Sequence, residues 1–66
     1  NIFVTDYSNN RVQVFSSAGV YLSQFGTPGA GNGQFNGTYG VAIDPASHNA
    51  VATDVSNSRV QIFAPQ

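Results

Sequence analysis

Cysteine, methionine, tryptophan, lysine and glutamate are absent from the 66-residue sequence, and its only formally charged side chains are two Arg and three Asp. Without cysteine, the chain has neither a disulfide framework nor a thiolate metal site. With a net charge of -1 and a pI near 5.3, it lacks the basic residues that neutralise nucleic-acid phosphates or anionic lipids. No apolar run approaches the roughly 18 residues of a membrane span. The sequence therefore predicts no nucleic-acid partner and no membrane partner.

The residues that are present favour a folded β protein. Hydrophobic residues make up 41% of the chain and include eight aromatics, which is ordinary for an ordered domain. Asn, Ser and Gly occur seven times each, and these residues favour turns over helix surfaces. No apolar spacing of three and four residues continues long enough to predict a helix.

An internal repeat relates residues 1–15 to residues 49–63, with nine identities in fifteen positions. A period of this size, between 40 and 50 residues, is typical of propeller blades. The residues of the first copy that recur in the second are Asn1, Thr5, Asp6, Ser8, Asn9, Arg11, Val12, Gln13 and Phe15.

Each copy predicts an antiparallel hairpin whose four-residue loop places Asp6 opposite Arg11. The residues between the copies predict a third strand, a connector too rich in Gly and Pro to form an element, and a fourth strand. The predicted strands are 2–6, 11–15, 20–25, 39–44, 50–54 and 59–63, and the connector is 26–33.

Both faces of the predicted hairpin are largely apolar. One face carries Ile2, Val4 and Phe15, and the other carries Phe3 and Val14 among its residues. Because an ordinary antiparallel sheet keeps one face in water, a sheet that is apolar on both sides is expected to lie between two other sheets. Propeller blades are packed in this way around an axis.

The sequence resembles the NHL-repeat β-propeller family along nearly its whole length. Residues 29–35 resemble the family's glycine-rich lead, which ends in Gly-Gln-Phe, and residues 39–44 resemble its innermost strand. Residues 4–6 and 9–15 resemble its second and third strands, although Thr38 replaces the usual proline before the inner strand. With blade strands labelled A to D outward from the axis, this resemblance implies an all-β chain of order B-C-D-A-B-C.

The resemblance also implies the boundaries of one partial propeller segment spanning residues 1–66. Residues 1–25 would form strands B, C and D of one blade, 26–38 an inter-blade loop, and 39–66 strands A, B and C of the next. About one and a half blades cannot close a ring of four to eight. The expected partners are therefore other blades, supplied by copies of the chain in a homo-oligomer or filament, or by the rest of a longer chain.

The leading functional prediction is a structural or binding segment that is not an enzyme and has no cofactor. An alternative is a fragment of an enzymatic propeller of lyase or lactonase type, with a metal near the central channel. RNA binding, known for some NHL domains, requires a basic face that this chain lacks.

Candidate site residues are few, and none forms a catalytic or metal-binding constellation. Asp6 with Arg11, and Asp54 with Arg59, are predicted to be structural ion pairs that fix the register of each hairpin. Asp44 ends the strand nearest the axis and is a possible channel-facing ligand group, although Asp-Pro is also a common exit from a strand.

Two further features lie in predicted loops. Asn36-Gly37-Thr38 is an acceptor sequence for N-glycosylation at Asn36, which together with the Asn/Ser/Gly-rich composition favours an extracellular or secreted protein. His48 has no second ligand at metal-binding spacing and is interpreted as a turn residue.

Overall fold

A computed structural model describes all residues from Asn1 to Gln66. The chain contains eight short strands and two single turns of 3-10 helix, and it has no α-helix. Neither helical turn is long enough to cross a lipid bilayer. The strands are β1 (Ile2–Asp6), β2 (Arg11–Phe15), β3 (Tyr21–Phe25), β4 (Thr27–Pro28), β5 (Gln34–Phe35), β6 (Val41–Ile43), β7 (Ala50–Asp54) and β8 (Arg59–Phe63).

Two antiparallel sheets of three strands form the body of the chain. Sheet 1 has the order β1-β2-β3 and sheet 2 the order β6-β7-β8. In both hairpins the predicted register is observed, with Asp6 opposite Arg11 and Asp54 opposite Arg59. The all-β fold class is confirmed, and the two antiparallel sheets are those expected of a propeller fragment.

Each hairpin reverses direction through one turn of 3-10 helix, Tyr7–Asn9 in sheet 1 and Val55–Asn57 in sheet 2. The next residue is left-handed in both copies, Asn10 with φ 53° and Ser58 with φ 52°. Asn enters this conformation more readily than most residues. The repeated sequence therefore specifies the same turn twice, and Ser58 adopts it without the help of asparagine.

The connector differs from the sequence prediction, because it contains one short strand, β4, which pairs in parallel with β5 directly after the connector. The Gly29 N–H donates to the carbonyl oxygen of Phe35, which closes the chain into a compact loop. Gly26 precedes this loop at φ +100°, and a Cβ there would lie 2.6 Å from the Phe35 ring. Glycine is required at this position for both conformation and space.

β6, an edge strand of sheet 2, is shorter than the predicted strand 39–44 and covers only Val41–Ile43. Upstream of it, the N–H groups of Tyr39 and Gly40 donate to the Thr53 hydroxyl oxygen, at 3.3 and 2.8 Å. These two donors are therefore satisfied by a side chain and do not extend the strand.

The core lies where sheet 1, sheet 2 and β5 meet. Val12, Phe35 and Ala52 are fully buried there, and the partly buried residues that pack around them are Phe3, Phe25, Val41 and Phe63. The Phe63 ring joins the layers, because its centroid lies 4.6 Å from that of Phe25 and 5.6 Å from that of Phe35.

The two copies of the hairpin bury opposite faces. Val12 and Val14 are buried in sheet 1, whereas their counterparts Val60 and Ile62 in sheet 2 are 58% and 68% exposed. Conversely, Ala50 and Ala52 are fully buried in sheet 2, whereas their counterparts are exposed. These exposed counterparts in sheet 1 are Ile2, at 48%, and Val4, at 43%.

Candidate functional site

The most extensively hydrogen-bonded polar group in the chain is the second polar cluster, made of Asp54, Asn57, Arg59 and Gln61. Asp54 Oδ2 accepts hydrogen bonds from Arg59 Nε at 2.7 Å and Asn57 Nδ2 at 3.0 Å. It also accepts one from Gln61 Nε2 at 3.3 Å. Asp54 is fully buried, so these contacts satisfy a carboxylate that has no access to water.

The second polar cluster binds the glycine-rich loop, residues 29–36, almost entirely through the main chain of that loop. The 3-10 turn beside the cluster adds main-chain contacts, in which Ser56 N donates to the Asn36 oxygen and Val55 N to the oxygen of Gly37, directly after the loop. The side-chain contacts of the cluster to the loop are Asn36 N to Asp54 Oδ1 (2.7 Å), Asn57 Nδ2 to Gly29 O (3.0 Å), Arg59 Nη2 to Gly31 O (2.7 Å) and Gln34 O (2.9 Å), Gln61 Nε2 to Gln34 O (2.6 Å), and Gly33 N to Gln61 Oε1 (2.9 Å).

The first polar cluster, made of Asp6, Asn9, Arg11 and Gln13, reproduces the internal geometry of the second. Asp6 Oδ2 accepts from Arg11 Nε at 2.8 Å, Asn9 Nδ2 at 3.0 Å and Gln13 Nε2 at 3.3 Å. Here, however, no glycine-rich loop is bound, and Arg11 Nη1 instead donates to Gln24 Oε1 on β3 at 3.0 Å. The side chain of Asp6 is correspondingly 21% exposed.

The same environment sets the acidity of both carboxyl groups. Burial raises the pKa of Asp54, but hydrogen bonds from the Asn36 N–H, Asn57 and Arg59 outweigh it and hold this pKa below the ordinary value of 3.8. The pKa of Asp6 is also lowered, first by the Asn9 hydrogen bond and then by Arg11. Both carboxyl groups are therefore ionised at neutral pH and act as acceptors only.

Asp44 lies directly after β6, and its side chain is exposed. Its Oδ1 accepts the Ala46 N–H at 3.0 Å, and its main-chain oxygen accepts the His48 N–H at 2.7 Å. The Ala46 contact, followed by that of Ser47, lowers the pKa of Asp44. The structure thus gives Asp44 a local role in shaping the turn that leaves β6, and a channel-facing role stays a prediction.

Asn36 is exposed, as a glycan acceptor must be, but its hydroxyl partner in the acceptor sequence is not. Thr38 is fully buried, and its Oγ1 has no hydrogen-bond partner. Glycosylation at Asn36 stays a prediction, and in this fold it requires transfer of the glycan before Thr38 is buried.

Replacing Thr38 with valine is expected to raise the free energy of unfolding by about 1 kcal/mol, because it removes a buried hydroxyl without a partner and keeps the side-chain shape. Urea unfolding followed by circular dichroism measures the change. The exposed Thr27 provides the matched control, since Thr27→Val should change the stability little. A loss of stability in Thr38→Val would show that the hydroxyl has a partner in solution.

A groove of about 550 Å³ runs along β8, whose outer edge has no strand partner. It contains no cluster of three or more His, Cys, Asp or Glu residues, and neither does the rest of the chain. Its polar groups are those of the second cluster and the loop that the cluster binds. Its lining residues are Asn32, Gly33, Arg59, Val60, Gln61, Ile62 and Phe63.

Sequence reasoning selected both Asp–Arg pairs but missed that each belongs to a four-residue cluster. Gln13 and Asn9, with their counterparts in the second copy, complete these clusters. All are among the identities of the repeat, so conservation between the two copies was the available signal. The glycine-rich run, interpreted as a connector, is the segment that the second cluster binds.

Comparisons with known proteins relate the chain to enzymes. No protein-family model matches it. It is 33% identical over 67 aligned residues to peptidyl-glycine alpha-amidating monooxygenase of Mus musculus, and equally to that of Rattus norvegicus. Each alignment covers 94% of this chain, whereas the chain spans about 7% of the length of either relative.

The prediction that the chain is not an enzyme is contradicted by this similarity, because both relatives are named as enzymes. Their name is that of a monooxygenase, and it does not test the alternative of a lyase- or lactonase-type propeller with a metal near the channel, which stays a prediction. The chain is a small β-rich unit that resembles a short stretch of much longer enzymes.

Proposed function

We propose that this chain is a scaffold segment of an NHL-type β-propeller within a larger enzyme related to the amidating monooxygenases. Sheet 1 is one incomplete blade and sheet 2 the next, with boundaries at residues 1–25, 26–38 and 39–66. The segment builds part of a rigid frame on which a longer protein arranges its binding surfaces. Its immediate partners are the neighbouring blades.

The observation that carries this proposal is the opposite burial of the two hairpin copies. Inside the chain, the Val12 face of sheet 1 packs towards the Ala52 face of sheet 2. The outer face of sheet 2 carries Val60 and Ile62, which correspond to Val12 and Val14. The outer face of sheet 1 carries Ile2 and Val4, which correspond to Ala50 and Ala52. The exposed outer face of each sheet therefore corresponds in sequence to the buried inner face of the other sheet. A second segment could pack on either side with the same residues.

Such an arrangement continues in both directions and buries more apolar surface with each added blade. A contact of this head-to-tail kind forms a ring where the rotation closes and a filament where it does not. The similarity to long enzymes supports the closed form inside one chain, because a propeller supplies successive blades from successive repeats. A secreted or extracellular location, suggested by the acceptor sequence at Asn36, belongs to the same proposal.

Analytical ultracentrifugation of the isolated chain tests the proposed faces. We expect concentration-dependent association of the 6.9 kDa chain, because each copy presents both halves of one interface. Val4→Asp and Ile62→Asp each place a charge in one half and should abolish the association. Val20→Asp is the matched control, because Val20 is 60% exposed in the turn before β3 and outside both faces.

A chain that stays a stable, cooperatively folded monomer at every concentration would contradict the proposal. So would association that Val20→Asp disrupts as strongly as the two face variants. Circular dichroism of each variant shows whether the sheets are retained, so that loss of association is distinguished from loss of folding.

A further inference from the structure

We propose that the first polar cluster is a binding site for the main chain of a second glycine-rich segment, similar to residues 29–36. This inference rests on the proposed propeller, because the preceding repeat of a longer chain would supply the segment. It would lie as far upstream of Asp6 as residues 29–36 lie upstream of Asp54. The second polar cluster is the basis for this inference. It has the same four residue types as the first cluster, and it binds residues 29–36.

The unused atoms of the first cluster are those that hold the loop in the second. Asp54 Oδ1 accepts the Asn36 N–H, whereas Asp6 Oδ1 has no donor. Gln61 Oε1 accepts the Gly33 N–H, whereas Gln13 Oε1 accepts nothing. The first cluster is thus already assembled around Asp6 Oδ2, and two of its acceptor atoms, Asp6 Oδ1 and Gln13 Oε1, remain without a donor.

The cationic side chains show the same difference. Arg59 Nη2 donates to two loop carbonyl oxygens, whereas Arg11 makes no contact with a main-chain carbonyl. The carboxylate is fully buried where the loop is bound and 21% exposed where it is not. Binding a segment at the first cluster would satisfy these groups and exclude water from Asp6.

The chemistry of the second cluster defines the occupant. The cluster bonds to amide N–H groups and carbonyl oxygens, so the main-chain path is recognised more than the side chains. Gly29 and Gly33 have φ of +148° and +77°, a backbone conformation that residues with a Cβ rarely adopt. A peptide that fits must therefore carry glycine at these two positions. The glycine-rich loop of a second copy is not free for this role, because its own second cluster holds it.

Nuclear magnetic resonance of the ¹⁵N-labelled chain tests binding directly. The probe is a synthetic peptide of residues 26–38, blocked at both ends. We expect it to shift the side-chain amide signals of Gln13 and Asn9, while those of Gln61 and Asn57 stay in place because their site is occupied. Asp6→Asn should abolish the shifts, and a peptide carrying Gly33→Ala should reduce them.

A covalent version removes the dependence on peptide affinity, since a tethered segment reaches an effective concentration in the millimolar range. Residues 26–48 are duplicated in front of Asn1, which preserves the period of the repeat. We expect the Asn36 amide of the duplicated segment to exchange with solvent about tenfold more slowly than in the same chain carrying Asp6→Asn. Leu22→Ala, on β3, is the control variant and should leave this protection unchanged.

The inference is overturned if the peptide shifts none of these signals and the duplicated segment exchanges equally fast with and without Asp6. If association still depends on Val4 and Ile62 in that case, the propeller proposal stands and only the docking site is wrong. If the segment docks but the outer faces do not associate, the docking site is retained and the propeller proposal falls.

Discussion

Phe35→Ala is expected to leave most of the chain unfolded in water at room temperature. Phe35 is fully buried between the two sheets, and removal of a buried phenylalanine ring costs about 3–5 kcal/mol. A domain of fewer than 70–80 residues without disulfides or metals seldom has more than about 3–5 kcal/mol of total stability. The expected loss of unfolding free energy in Phe35→Ala therefore matches or exceeds the total unfolding free energy of the chain. Far-ultraviolet circular dichroism and urea unfolding measure it.

The position of Phe35 explains why one ring has so large an effect. It comes from β5, in the glycine-rich loop, and not from either three-stranded sheet, and its ring contacts Phe63 and lies against Gly26. Leu22→Ala is the control, since Leu22 is 50% exposed on β3. This variant should lose about 1 kcal/mol of unfolding free energy. A Phe35→Ala chain that keeps more than half of its unfolding free energy would show that the sheets pack without the anchor from the glycine-rich loop.

Asp54→Asn is expected to destabilise the chain by about 3 kcal/mol, because it removes one partner of a buried ion pair. The amide that replaces the carboxylate has a single acceptor oxygen. It cannot accept the Asn36 N–H on one side and the three side-chain donors on the other. The matched substitution Asp6→Asn should destabilise the chain less than Asp54→Asn does, since the same pair there is partly exposed and screened by water.

Acid titration provides a second check on Asp54. Its pKa is lowered in the folded chain, so the stability it contributes is present above the ordinary value of 3.8 and is lost as the pH falls below that value. Asp54→Asn should remove much of this pH dependence of the unfolding free energy, whereas Asp6→Asn should retain more of it. Equal stabilities for the two variants at neutral pH would contradict the assignment of different roles to the two clusters.

The fold was largely predictable from the sequence because its strongest signals are local and repeated. The period, the short apolar runs and the four-residue turns specify both hairpins and their register. The apolar character of both hairpin faces predicted packing on two sides. The structure shows burial of one face in each copy, and packing against the second face stays a prediction.

The polar clusters were less predictable because they depend on contacts across the chain. The strand register predicts the pairing of Asp6 with Arg11. Gln13 joins this pair because alternate residues of β2 lie on the same face of the sheet. Binding of the glycine-rich loop has no periodic signal at all. The cluster binds main-chain atoms of residues 29–36. Because nearly every residue has the same main-chain N–H and C=O groups, the sequence carries no signal for these contacts.

The attachment of the glycine-rich loop also sets an order of events in time. The hydrogen bonds that hold it span 18 to 28 residues, whereas each hairpin closes over a four-residue turn. Hairpins form within about 1–10 μs once their residues are available. During synthesis at roughly 5–20 residues per second, however, the loop emerges seconds before the strands that bind it. The glycine-rich loop of each repeat, with Phe35 in it, is therefore expected to remain hydrated until the last hairpin of the same repeat has been synthesised.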